Sequence, residues 1–136
     1  MMKKRAIEWL KSAELDLLSA KDDIGKEWAT PLVAYHSQQC VEKSFKAIVE
    51  LFGKDVPKTH DLIKLYHICR EIIPELHIEN VELLEVLNKV YIDVRYPGPL
   101  GFLPEGAPTQ LEAESFLIFA EEIYEKVKEI VYGMPL

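Results

Sequence analysis

The sequence predicts an all-α fold, an up-and-down bundle of about five helices forming one domain over residues 1–136. Apolar residues recur at spacings of three and four in several separate stretches, the period of a helix with one buried face. Between those stretches stand the Gly, Pro and Thr residues that start and stop helices. No run of strict apolar–polar alternation, internal repeat or low-complexity segment interrupts this pattern.

From Lys4 to Ile24 the series Leu10, Ala13, Leu17, Ala20 and Ile24 defines the first helix, and Gly25 can take the left-handed conformation that ends it. Thr30-Pro31 is expected to supply an N-cap and a first-turn proline for a second helix that reaches about Phe52 and stops at Gly53. Thr59 is the expected cap of a third, with Asp61 placed against its dipole and Pro74 limiting its extent. A fourth begins at Asn80 and buries Leu83, Leu84, Leu87, Val90, Tyr91 and Val94. Residues 96–108 hold four of the eight prolines and three of the six glycines, which no helix tolerates. Leu100, Phe102 and Leu103 in that loop are expected to dock on this domain or on a second subunit. Thr109 and Glu112 form a capping-box pattern that opens the last helix, whose Phe116, Phe119, Ala120, Ile123, Val127 and Ile130 face the core as far as Gly133.

At 136 residues, with 49% hydrophobic and 29% charged residues, the chain can bury a core without staples and is neither disordered nor built to span a bilayer. Met-Met-Lys-Lys-Arg has the basic start of a signal peptide, but Glu8, Lys11, Glu14 and Asp16 interrupt any apolar stretch behind it. Cys40 and Cys69 sit in separate helix interiors and make no disulfide framework, so a reduced, cytoplasmic protein is expected. The formal net charge of −7 disfavours broad electrostatic binding to nucleic acid, and any contact with phosphate must be local.

The second helix carries two stripes. Val41, Phe45, Ile48 and Phe52 form an apolar one, and Gln39, Glu42, Lys43 and Lys46 form a charged one that is either a solvated face or a lined groove. His36 and Cys40 are four apart, a spacing that lets two side chains reach one metal ion, but no CxxC or HExxH pattern supplies the remaining ligands and no metal is assigned. Nothing resembles a phosphate-cradling glycine loop or a nucleophile elbow, and no cofactor is implied.

Gln-Gln-Cys-Val-Glu-Lys-Ser-Phe-Lys-Ala at 38–47, Lys-Thr-His-Asp-Leu at 58–62 and Val-Arg-Tyr-Pro at 94–97 together resemble the HEPN family, over nearly the whole chain and in family order. The resemblance implies a compact helical domain, a homodimer, and an association with a minimal nucleotidyltransferase encoded alongside in a toxin–antitoxin-like system. Nuclease members pair an arginine with a histidine four to six residues later in metal-independent RNA cleavage. Arg95 matches the arginine, and residues 96–102 contain no histidine. An arginine stabilises phosphorane charge but does not shuttle protons near neutrality.

A non-catalytic domain is therefore expected, in which Gln39, Glu42, Lys43, Lys46, His60, Arg95 and Tyr96 bind a nucleotide or RNA phosphate or position the partner enzyme. Two alternatives stand beside it. One is an endoribonuclease in which Arg95 works with a displaced histidine, His60 or His36; the other is a purely structural homodimer whose polar stripe only ties helices together.

Overall fold

The computed structural model describes residues 2–95 and 106–135, with the side chains of residues 92–95 outside that description. Five helices follow one another: α1 (Met2–Asp23), α2 (Thr30–Leu51), α3 (Leu62–Ile72), α4 (Leu83–Arg95) and α5 (Gln110–Gly133). The described residues contain no strand. The expected loop from 96 to 108, with Leu100, Phe102 and Leu103, lies mostly outside the described residues.

Helix α2 is the axis of the bundle and packs against each of the other four helices. Its sequence explains why. Val33, Ala34, Cys40, Val41, Phe45, Ala47, Ile48 and Val49 are all fully buried, so apolar side chains leave α2 over most of its circumference. Small residues bring α1 close to it. Ala6, Ala13 and Ala20 recur every seventh residue with no exposed surface, and a helix that presents alanine at its contact can approach its neighbour closely. Leu10 and Leu17 of α1, Leu65 of α3, Leu87 of α4 and Phe119 and Val127 of α5 close around α2 in one core. Ala20, Val33 and Ala113 make a smaller cluster where α1, α2 and α5 meet.

Several helix ends differ from the sequence expectation. Thr30 does not cap α2: a 3-10 turn at Glu27–Ala29 precedes the helix, Ala29 stands at the cap position, and the Thr30 hydroxyl is buried with no hydrogen-bond partner. The turn's continuity with the helix places Thr30 one residue too far in to cap it. Pro31 does occupy the first turn. Thr59 is likewise displaced as the cap of α3 by Asp61, whose carboxylate accepts from the amides of Ile63 at 3.0 Å and Lys64 at 3.3 Å. The Thr59 hydroxyl accepts from the Asp61 amide instead, at 3.2 Å. Asn80 adopts a left-handed φ of 56°, which short polar side chains tolerate best, so α4 starts three residues later, at Leu83. Gly25 has the expected left-handed conformation, and the Thr109–Glu112 capping box is fully formed at α5.

Candidate functional site

The polar residues of α2 are neither a solvated face nor an open cationic groove. Glu42 and Lys46 are buried, at 4% and 6% exposure, and lie one turn apart. Burial of ions is tolerated only where they are paired and hydrogen-bonded. The Lys46 ammonium donates to Glu42 Oε2 at 3.0 Å, and Glu42 Oε1 accepts from Gln38 Nε2 at 3.3 Å and from His60 Nδ1 at 2.9 Å. A carboxylate paired with an ammonium accepts only, so Nδ1 carries the proton of this bond and Nε2 is the nitrogen left to act. That nitrogen has no partner among the described residues, and the His60 side chain is 56% exposed.

The backbone around His60 is held as firmly as its ring. Gln38 Nε2 also donates to the His60 carbonyl at 3.2 Å. Immediately after it, Asn88 of α4 bridges the start of α3, accepting from the Leu62 amide at 2.8 Å and donating to the Asp61 carboxylate at 2.9 Å. Burial would raise the Asp61 carboxyl, but the bonds from Asn88 and from the Lys64 and Ile63 amides outweigh it and hold the group below the ordinary carboxylate range. Tyr91 of α4 packs against the His60 ring, with centroids 4.9 Å apart.

A second cluster lies on the adjacent side of α2. Asp16 of α1, 8% exposed, accepts from Lys43 Nζ at 2.7 Å and pairs with His36 Nδ1 at 2.8 Å. The two clusters are joined by rings: His36 sits edge-on to Tyr35, and Tyr35 stacks with Tyr91 at 6.1 Å. Gln39, on the strip of α2 between the clusters, donates through its side-chain amide to Gln38 Oε1 at 2.7 Å.

Of the seven residues read from the sequence as ligand-binding, Glu42, Lys46 and His60 therefore meet in one cluster, Gln39 adjoins it through Gln38, and Lys43 belongs to the other. Arg95 occupies the last position of α4, one helical turn beyond Tyr91; its side chain, and the whole of Tyr96, lie outside the described residues. Asp16, Gln38, Asn88, Tyr35 and Tyr91 complete the arrangement and were not singled out as site residues by sequence. Asp16 did leave a signal: it falls between Ala13 and Ala20 on the buried stripe of α1, where a carboxylate needs partners.

The His36–Cys40 pair does not converge. Cys40 Sγ faces the Ala120 carbonyl at 3.9 Å while His36 turns to Asp16, and no group of three or more His, Cys, Asp or Glu able to hold a metal occurs among the described residues. Burial, with the Asp16 charge adding to it, pushes the Cys40 thiol up to about 12, and burial alone pushes Cys69 to about 12. Both stay protonated near neutrality, and both cysteines are free. Two surface concavities among the described residues lie elsewhere. One of about 420 Å³ is lined by Met2, Arg5, Glu50 and residues 53–56, and another of about 680 Å³ by Phe52, Lys54, Ile68, Glu71 and Ile72. In the first, Glu50 is already engaged by Arg5 and by the Trp9 indole. Reactive polar atoms converge on the α2 face instead. No helix among the described residues is long and apolar enough to cross a membrane.

Comparison with known proteins agrees with this architecture. A family model of the HEPN domain matches residues 6–130. The chain is 34% identical over 141 residues to a Methanocaldococcus jannaschii protein named "Putative toxin MJ1304", covering 93% of this chain and 90% of that one. The crystal structure of TT1696 from Thermus thermophilus superposes with a TM-score of 0.74 at 29% identity, covering 92% of this chain and 97% of that one. The crystal structure of ST0689, an archaeal HEPN homologue, shares the fold, with a TM-score of 0.63 at 24% identity over 93% and 97% of the two chains. The match over residues 6–130, together with a relative covered along nine-tenths of its length, establishes that the chain belongs to the HEPN domain family.

Proposed function

We propose that this HEPN domain binds the phosphate of a nucleotide or RNA without cleaving it, as the helical member of a toxin–antitoxin-like pair whose other member is a minimal nucleotidyltransferase. The observation that carries this reading is His60. Its ring is fixed by Glu42 and Tyr91, its Nε2 is directed away from its one hydrogen bond, and it packs on the helix that ends in Arg95. A protonated imidazole and a guanidinium grip phosphate with charge-assisted hydrogen bonds. Glu42, Gln38 and Lys46 serve the site by positioning that ring, since the Lys46 ammonium is occupied by Glu42. Residues 96–102 offer no histidine to relay a proton beside Arg95. The name of the Methanocaldococcus relative supports the toxin–antitoxin context. Self-association as a homodimer belongs to the same proposal.

One observation favours a second reading, an endoribonuclease. A carboxylate-held imidazole with its other nitrogen exposed is the arrangement a general acid–base needs. The two separate in one experiment. Purified protein is mixed with 5′-AMP or structured RNA at low salt in the presence of chelator. Thermal stabilisation by ligand that is lost in Arg95→Ala and His60→Asn, with RNA recovered intact, supports recognition. Cleavage abolished by either substitution replaces it with catalysis, and neither binding nor cleavage leaves the polar clusters a purely structural role.

A further inference from the structure

We infer that the recognition face has two phosphate-holding ends, one at His60 and one at His36, so that its ligand is a single-stranded oligonucleotide of at least two nucleotides rather than a mononucleotide. This rests on the nucleotide-or-RNA reading above and specifies its ligand. The two clusters duplicate one arrangement. Asp16 holds His36 Nδ1 at 2.8 Å and Lys43 Nζ at 2.7 Å, as Glu42 holds His60 Nδ1 at 2.9 Å and Lys46 Nζ at 3.0 Å. Both carboxylates are buried and neither imidazole is. In each case Nδ1 is committed and Nε2 has no partner among the described residues.

Each cluster sums one carboxylate, one ammonium and one imidazole. Its charge is zero with the ring neutral and +1 with the ring protonated, so neither repels a phosphate. The ends are separate. Tyr35 and Tyr91 stand between the two imidazoles, with ring steps of 5.3, 6.1 and 4.9 Å. Tyr35 and Gln39 share the side of α2 that carries His36 and Glu42, a ring and an amide, which are groups that suit a nucleoside between two phosphates.

The test compares three probes at constant salt: 5′-AMP, the dinucleoside monophosphate ApA, and 5′-phosphorylated ApA. The first two each carry one phosphate and the third carries two. The phosphorylated dinucleotide is expected to bind at least about tenfold more tightly than either, the worth of one charge-assisted contact set. In His36→Asn the affinity ratio of phosphorylated dinucleotide to AMP collapses toward one. NMR of the wild-type imidazoles gives a readout independent of any substitution. The His60 ring responds to all three probes, and the His36 ring shifts only with the phosphorylated dinucleotide. Equal affinities, or tighter binding with an unmoved His36 resonance, overturn the two-ended face while leaving nucleotide recognition standing. Failure of all three probes to bind removes the recognition reading itself, and this inference with it.

Discussion

At the scale of residues, the site depends on a carboxylate with three partners. Glu42 neutralises a buried ammonium and orients a surface imidazole through the same group. Glu42→Ala leaves Lys46 buried without a counter-ion, and urea unfolding is expected to show a loss of about 3–5 kcal/mol. Adding Lys46→Met to that variant removes the orphaned charge and is expected to recover part of the loss, but not the orientation of His60. Asp61 makes its contribution depend on pH. Its carboxyl lies lower in the folded state than in the unfolded chain, so the stabilisation is present above the unfolded value and is lost as pH falls through the folded one. Asp61→Asn retains a capping side chain. Its stability deficit relative to wild type is therefore expected to be larger near neutrality than at about pH 3, below the ordinary carboxylate range. The two thiols act with the opposite sign. Folding favours their neutral forms, a contribution complete below the ordinary thiol value of about 8.5 and lost as pH climbs toward about 12. A thiol reagent near neutrality is expected to label neither cysteine until the protein is unfolded; labelling of the native protein at the rate of a free thiol would contradict the burial of both.

At the scale of elements, Thr109 and Glu112 illustrate what one sequence can disclose. Their bonds are local, from the Glu112 amide to Thr109 Oγ1 at 3.0 Å and from the Thr109 amide to Glu112 Oε1 at 2.9 Å, so the four-residue pattern sufficed to locate the start of α5. Thr109→Ala is expected to lower stability by about 1 kcal/mol in thermal unfolding. All five helices were legible for the same reason, because the apolar period and the glycine stops are properties of neighbouring residues. The starts of α2, α3 and α4 were not, α4 opening at Leu83, three residues past Asn80. Thr30 satisfies every local rule for a cap, yet the turn at Glu27–Ala29 draws it inside the helix. Asp61 outcompetes Thr59 because Asn88, 27 residues away, supports its carboxylate. The site divides along the same line. Helix spacing and a family-like motif mark Glu42, Lys46 and His60, and the structure brings these three together. Asp16 was not paired with His36 and Lys43, because that pairing depends on how α1 is rotated against α2. Tyr91 was read as core alone, although its ring also supports His60.

At the scale of the whole molecule, a net charge of −7 surrounds a face whose Lys43 and Lys46 are already paired with carboxylates. Ligand capture cannot draw on a broad basic surface. Binding of a single strand is therefore expected to weaken only gently with salt, with a slope of log K against log salt of about −1 to −2, as two phosphate contacts imply. The face is built by α1, α2 and the segment leading into α3, braced from α4 by Asn88 and Tyr91; α2 carries His36 and supplies the Glu42 that holds His60. The claim on which this account turns is that His60 and Arg95 hold phosphate without breaking its ester bonds. The most direct measurement follows a 5′-phosphorylated RNA oligonucleotide, with enough protein to saturate it and with chelator present, recording affinity and strand length in the same samples. Saturable binding is expected that weakens at least about tenfold in Arg95→Ala, the scale of a charge-assisted phosphate contact, while the strand stays whole throughout. Shortened strands that disappear when Arg95 or His60 is replaced, or an affinity indifferent to both, would contradict it.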